Sequence, residues 1–439
     1  MSSPAAAPDA GLVRAIGIRA LTAATINATI GAGIFVLPAT VAGGLGTAAP
    51  FAYLVCASLM LLVVASLGMA GSRVAVSGGI YAYVDAAFGP FIGFLAGVIQ
   101  LLNSVLAVAG VASALIASIA VAWPAVGQGP GRWLLLAVMF GGLAAVNVRG
   151  VKQGARTVEL VTLAKLLPLG IFIVAGAVAV FSQGAPAPSL PASEGLGRTA
   201  LMLIFAFAGA ELGLIASGEI RTPARTVPTA LLLALAITTS VYLAIQFVAQ
   251  GVLGAELAAH ADAPLAVAAG RFLGTAGTTL MLAGAVVSMF GYVSGDMLST
   301  PRGLFALGRE RLLPGVFASV HPRFHTPHVA IPVYATLVFL LAANGTFGKL
   351  VLLSNVAVLS LYLLGCLAAL ELWRRDVRLT DRPFTFPGAA LVPLSGAAVV
   401  IWLLSHATTE EFVAEAIVLG LAALAYGIRA LGRRGAPRG

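Results

Sequence analysis

Apolar residues run along this chain in long stretches, separated by short polar or Gly/Pro-rich joints. A helix rises 1.5 Å per residue, so about 20 predominantly apolar residues cross a hydrocarbon core about 30 Å thick. By that measure the chain carries about twelve spans, at roughly 15–41, 48–71, 91–122, 133–148, 157–181, 198–218, 228–253, 272–299, 329–344, 349–373, 387–406 and 411–431. The expected fold class is therefore an all-α membrane protein.

Composition strengthens that expectation. Hydrophobic residues make up 60% of the 439 positions and charged ones 9%, against roughly 25% charge in a soluble domain. A water-soluble fold is excluded, and nearly all of the polypeptide is membrane domain. Residues Met1 to Gly11 are rich in Ala and Pro and lack a charged region ahead of a short apolar core. They read as a disordered tail with no signal peptide.

Charge then orients the spans. With twelve spans both termini share one side, and 20 Lys/Arg fall on that side against 4 on the other (Arg132, Arg198, Arg271 and Lys349). With Lys165 inside a span the total is 25, and the bias makes the termini cytoplasmic. The net charge of +9 is thus a topology signal that implies no nucleic-acid partner. Ala- and Arg-rich composition without an organelle signal points to a bacterial inner membrane. Cys56 and Cys366 lie in separate apolar runs, and His321, His325 and His328 share one loop. Neither set has metal or disulfide spacing, so no cofactor or metal is expected. No nucleophile–base set lies in the spans, and the chain is not expected to be an enzyme.

Two spans contain a Gly-rich break. The first reads Asn27-Ala28-Thr29-Ile30-Gly31-Ala32-Gly33-Ile34-Phe35, and the sixth reads Phe205-Ala206-Phe207-Ala208-Gly209-Ala210-Glu211. In lipid, irregular backbone survives only where it is packed in protein or lines a cavity. The two breaks are five spans apart, as expected for inverted halves of five spans each with a midplane substrate site. Glycines at such positions also serve close helix packing, and spacing alone leaves both readings open.

Several separated motifs then point to one family. Gly31-Ala32-Gly33-Ile34-Phe35 resembles a Gly-x-Gly-Ile-Phe motif, and Gly78-Gly79-Ile80-Tyr81-Ala82-Tyr83 resembles Gly-Gly-x-Tyr-x-Tyr. Asn147 to Lys152 with Thr162-Leu163-Ala164-Lys165-Leu166-Leu167-Pro168-Leu169 is similar to a fifth span and its entry. Phe205 to Glu211 with Glu219, Pro223, Arg225 and Pro228 is similar to a sixth span, and Arg302 to Pro314 with His321 to Pro327 to the loop after an eighth. Together they resemble the amino acid–polyamine–organocation (APC) superfamily of permeases over about residues 15–375. The resemblance implies a LeuT-type 5+5 inverted repeat with broken helices 1 and 6. The expected organisation is a cytoplasmic tail at 1–13, a first five-helix repeat at 14–181 and an inverted second repeat at 198–373. Two additional helices at 387–431 and a cytoplasmic tail at 432–439 complete it. The run Ser294 to Pro301 departs from the small and hydroxyl residues usual at the inner end of the eighth span.

An amino acid crosses as a zwitterion, so its carrier must satisfy a carboxylate and an ammonium away from bulk water. A half-helix start offers amides and a favourable dipole to the anion, and unpaired carbonyls suit the cation. By motif position the resemblance assigns the carboxylate to the amides of Ala32 and Gly33, and the ammonium to the carbonyls of Thr29, Phe205 and Ala208. Ile30, Gly31 and Gly209 complete the expected substrate site, with Phe205 covering it. Glu211 is a mid-membrane carboxyl, which costs on the order of 3 kcal/mol unless paired, protonated or hydrated. It is expected to brace the second break or carry a proton. Asp296 is expected to pair with a basic residue such as Arg302, and Asn27 and Tyr292 to line the cavity or join helices.

Lys165 is the one basic residue inside a span, nine residues and so about 13 Å beyond Arg156. It either snorkels to the interface or, as the family's Thr-x-x-Lys-Leu-x-Pro-Leu implies, sets its amine against the first and eighth spans. There it takes the place that a cation holds in sodium-coupled relatives of the fold. The reading is a secondary transporter of a small neutral amino acid, proton-coupled through Lys165. Its rivals are an uncoupled exchanger or exporter, a sodium symporter, a channel and a non-transporting sensor.

Overall fold

The computed structural model describes residues 16–74, 78–150, 155–183, 195–214, 220–309, 313–378, 383–385 and 388–435. The expected tail at 1–13, Glu219 and residues 436–439 lie outside these. Among the described residues the secondary structure is helical, apart from an isolated bridge between Ile16 and Ile220. Fifteen α-helices follow in chain order: α1 Ile18–Thr29, α2 Gly33–Leu45, α3 Ala49–Arg73, α4 Ile80–Phe88 and α5 Pro90–Ala122. Next come α6 Gly129–Arg149, α7 Ala155–Gln183, α8 Leu196–Phe207, α9 Ala210–Leu214 and α10 Pro223–Leu253. The last are α11 Pro264–Arg309, α12 Ala330–Asn344, α13 Phe347–Arg374, α14 Leu391–Leu404 and α15 Thr409–Gly435.

Among the described residues, eight stretches are long and apolar enough to cross a membrane, and α8, α12 and α14 are shorter apolar helices. The first and sixth expected spans are each divided, into α1 and α2 and into α8 and α9. The expected span 272–299 belongs to a longer helix, α11, whose path turns at Gly274 (φ 61°, ψ −151°). That conformation excludes most side chains and sets residues 264–273 apart from the main rod.

The chain's own apolar pattern sorts centre from rim. In α5 and α13, 72% and 67% of the apolar window is buried, against 17% in α6 and 11% in α15. The former pair is the centre of the bundle and the latter its edge. Outward stripes at helical spacing, Val174, Val178 and Phe181 on α7 and Ile417, Leu421, Leu424 and Ile428 on α15, are exposed. Apolar side chains turned outward in such rows belong in lipid.

Candidate functional site

The site is built where two helices stop in mid-course. After Thr29 the backbone leaves the helix at Ile30 (φ −77°, ψ 83°), and α2 begins at Gly33. After Phe207 it extends at Ala208 (φ −68°, ψ 151°) and turns at Gly209 (φ 124°). The two breaks touch, because a Cβ on Gly209 would lie 2.8 Å from the Ala28 carbonyl oxygen and 3.0 Å from the Thr29 nitrogen. Only glycine fits there. The Tyr242 hydroxyl of α10 stands between them, 3.1 Å from the Thr29 oxygen and 2.8 Å from the Ala206 oxygen.

A helical break orphans backbone groups, and each orphan must find a partner. In an unbroken helix the Gly31 amide would donate to the Asn27 carbonyl, but here it donates to Thr29 at 2.9 Å. The Lys165 ammonium takes the vacated place, with Nζ 3.1 Å from the Asn27 oxygen and 3.4 Å from the Ile30 oxygen. Lys165 is 2% exposed, so its amine ends inside the protein at the first break and does not reach an interface. One turn on, a Cβ on Gly284 would lie 2.9 Å from the Pro168 ring, so α7 and α11 are in close contact there. Ser288 of α11 lies 3.5 Å from the Gly31 carbonyl oxygen.

At the second break the helical donor to the Phe205 carbonyl would be the Gly209 amide. That amide donates instead to the Glu211 carboxyl at 2.9 Å, and the Tyr362 hydroxyl of α13 donates to the same oxygen at 2.6 Å. Glu211 is 4% exposed. The Phe205 carbonyl is thereby released from its helical partner.

A cavity opens between the breaks. Thr29, Gly31, Ala32, Gly33, Phe205, Ala208, Gly209 and Glu211 line it, joined by Ala28, by Asn103, Ala107 and Val111 of α5, by Tyr292 of α11 and by Ser354 of α13. Eight of the ten site residues expected from sequence thus meet at one place. Ile30 is buried behind the wall, offering its carbonyl to Lys165. Phe205 sits edge-on to Phe347, with ring centroids 5.9 Å apart. The glycines differ from one another. A Cβ on Gly31 would meet only the Tyr292 ring at 3.6 Å, whereas one on Gly33 would lie 2.8 Å from the Ala206 Cα. Gly33 is therefore a helix-packing contact as well as a wall residue. The Thr29 carbonyl already accepts from the Gly31 amide and from Tyr242.

Two sequence expectations change. Asp296 does not pair with Arg302: it is 6% exposed and accepts hydrogen bonds from Ser104 of α5, from Tyr334 of α12 and, at 2.9 Å, from Thr300 of its own helix. Three hydroxyl donors satisfy a carboxylate's lone pairs as a cation would, and they are one helical turn or one neighbouring helix away. Of the two roles expected for Asn27, it does not line the cavity but does join helices, through its backbone oxygen and not its side chain, by meeting Lys165 of α7. Sequence reasoning missed Asn103 and Ser354, which are bonded to each other at 2.7 Å. An Asn inside an apolar run is a signal of function in a membrane, but the partner on a span seven further on leaves no trace in spacing.

The sequence profile of the amino acid permease family matches residues 16–422. The chain belongs to the amino acid permease family. This permease is 28% identical to the serine/threonine exchanger SteT of Bacillus subtilis over 427 residues, 95% of this chain and 96% of that one. It is 31% identical to an uncharacterized transporter of Mycobacterium tuberculosis, over 95% of this chain and 92% of that one. The branched-chain amino acid permease BcaP of B. subtilis is 28% identical, over 90% of this chain and 88% of that one. Such relatives are transporters and not enzymes, and the chain is a multi-pass membrane protein, as its motifs implied.

Proposed function

We propose that this permease carries a small neutral amino acid across the cell membrane by alternating access, coupled to a proton through Lys165. The observation that carries the proposal is the cavity between two interrupted helices, with a buried ammonium on the backbone of the first. Amides at the start of α2, those of Ala32 and Gly33, take the substrate carboxylate, where the helix dipole favours an anion. The carbonyls of Phe205 and Ala208 take the ammonium, because the break has freed them, while that of Thr29 is occupied in this conformation. Ala107 and Val111 give the lining an uncharged apolar face, and the Asn103–Ser354 pair offers a neutral polar contact. A small uncharged side chain fits that lining.

Lys165 supplies the coupling. Protonated, it donates to the Asn27 and Ile30 carbonyls and holds the end of α1 as a bound cation would. Deprotonated, it loses its positive charge and one of three N–H donors, so its hold on the two carbonyls weakens, which lets α1 shift and favours substrate release. The organisation that supports this motion is a five-helix half at 14–181 and an inverted half at 198–373, with 387–431 added outside. The Lys/Arg bias supports an orientation with both termini in the cytoplasm.

Uptake into proteoliposomes under an imposed pH gradient, a sodium gradient or preloaded amino acid tests the reading. Accumulation driven by the pH gradient and competed by small neutral amino acids is expected. Uptake that follows sodium, or that occurs only against preloaded solute, overturns proton coupling. The likeness to a serine/threonine exchanger favours the last of these as a second reading.

A further inference from the structure

The half-helix α8 carries Phe205 in the cavity wall at one end and a salt bridge at the other. Arg198 donates through both terminal nitrogens to Glu411 at the start of α15, at 3.0 and 2.8 Å. The same guanidinium donates to the His406 carbonyl at 3.2 Å, and the Thr408 amide donates to Glu411 at 2.9 Å. Gly197 lies directly under the His406 ring, which a Cβ there would meet at 2.1 Å. Both ends of the α14–α15 connection are thus tied to the first turn of α8.

This contact differs from a chance surface pair. Glu411 is 10% exposed and Arg198 41%, whereas the Arg271–Glu256 pair is 59% and 64% exposed. A two-pronged pair with one partner sheltered keeps geometry and strength that an exposed pair loses to solvent. Its place also matters. Alternating access requires a wall element to move, and α8 can pivot at Ala208–Gly209 because its hydrogen-bond ladder already ends there. Arg198 and Phe205 are seven residues apart on one short rod, about 10 Å. Whatever holds the Arg198 end sets the position of the Phe205 ring.

We propose that Arg198 and Glu411 form a latch through which α15 positions α8 and keeps Phe205 in the cavity wall. Both are positioning residues, remote from the substrate. The proposal rests on the carrier reading above, and it gives the last two helices, which contribute nothing to the cavity lining, a part in controlling access to it.

The test uses the full-length protein with Val111→Cys as a reporter in the cavity wall, since Cys56 and Cys366 are both buried. Reaction with a water-soluble thiol reagent is timed in detergent, and transport is measured in proteoliposomes. Arg198→Ala and Glu411→Ala are each expected to speed labelling about five- to tenfold and to raise KM more than they change kcat. The double variant should be no faster than either single, because the two side chains act as one contact. General destabilisation would lower the melting temperature and activity without this pattern. If the alanine variants do not fold, Arg198→Lys and Glu411→Gln keep the bulk and are expected to speed labelling about two- to threefold. Folded variants with labelling and KM indistinguishable from the parent overturn the latch. A protein with Val111 intact that takes up no amino acid overturns the carrier reading instead, and the labelling comparison still decides the latch.

Discussion

The two helix breaks face the same physical problem and meet it differently. Each removes a turn of backbone hydrogen bonding within the protein interior, where an unpaired carbonyl or amide costs about 1–3 kcal/mol. At the first break the orphan Asn27 carbonyl is met by an ammonium from another helix, Lys165 on α7. At the second, the orphan Gly209 amide is met by Glu211, two residues along the same chain, which Tyr362 then holds in place. A partner two residues away moves with its break. A partner on another helix ties the break to a neighbour, and that tie weakens when the ammonium gives up its charge and one of its three N–H donors. On the proposed coupling the first break is therefore the one a proton can release, whereas the second keeps its cap whatever the proton does and is fixed in that sense, while α8 can still pivot there.

The largest effect that separates the two is expected from Lys165→Ala. It leaves the Asn27 carbonyl without its donor and removes the proton site. We expect accumulation driven by a pH gradient to fall at least tenfold, with no dependence on external sodium. Vesicle uptake at the wild-type rate would show that the first break needs no proton.

Next in size is Gly31→Leu, whose side chain would enter the cavity beside Tyr292 without striking backbone. Substrate binding should weaken at least tenfold while the protein stays folded, as measured by equilibrium binding and thermal unfolding. Gly33→Leu is a poorer probe, since its Cβ would lie 2.8 Å from the Ala206 Cα and disturb packing between the two broken helices. Both glycines belong to one motif, and the pattern does not tell a cavity glycine from a packing glycine. The difference is set by what faces each across the interior.

That is where legibility ended more generally. The spans, the two breaks, and Lys165 and Glu211 as buried titratable groups are legible, because each is recorded in local pattern or in an exception to apolarity. Asp296 was read as half of an ion pair from its neighbour Arg302 six residues on. Its partners Ser104 and Tyr334 come from α5 and α12, and hydroxyls are common in spans, so nothing local marks them. Asn103 and Ser354 were missed for the same reason. Backbone chemistry at a break is local and shows in sequence, whereas side-chain pairs across the bundle depend on helix rotation, which it does not specify.

Phe205→Ala ranks third. The ring lines the cavity and packs edge-on against Phe347, a contact worth on the order of 1 kcal/mol beyond area. KM is expected to rise about three- to tenfold with expression little changed. An unchanged KM would make the ring packing only.

The smallest effect probes the fixed joint itself. Tyr362→Phe removes the hydroxyl that donates to Glu211 at 2.6 Å while keeping the ring, which is fully buried. Glu211 retains the Gly209 amide as a donor, so the break keeps its cap and loses only its outer brace. A buried hydrogen bond to a carboxyl is worth about 1–3 kcal/mol, and the remaining donor should keep the loss near the lower end. Thermal stability in detergent should fall by a few degrees, with the ratio of uptake with and without a pH gradient unchanged. That invariance is the sharp part. If Glu211 is a joint, loosening it affects stability and not coupling, but if its proton takes part in transport, removing its hydroxyl partner shifts the pH at which uptake is half-maximal. A shifted pH profile in Tyr362→Phe, alongside wild-type turnover at the optimum, would move Glu211 from the fixed break to the coupling path and dissolve the contrast between the two breaks.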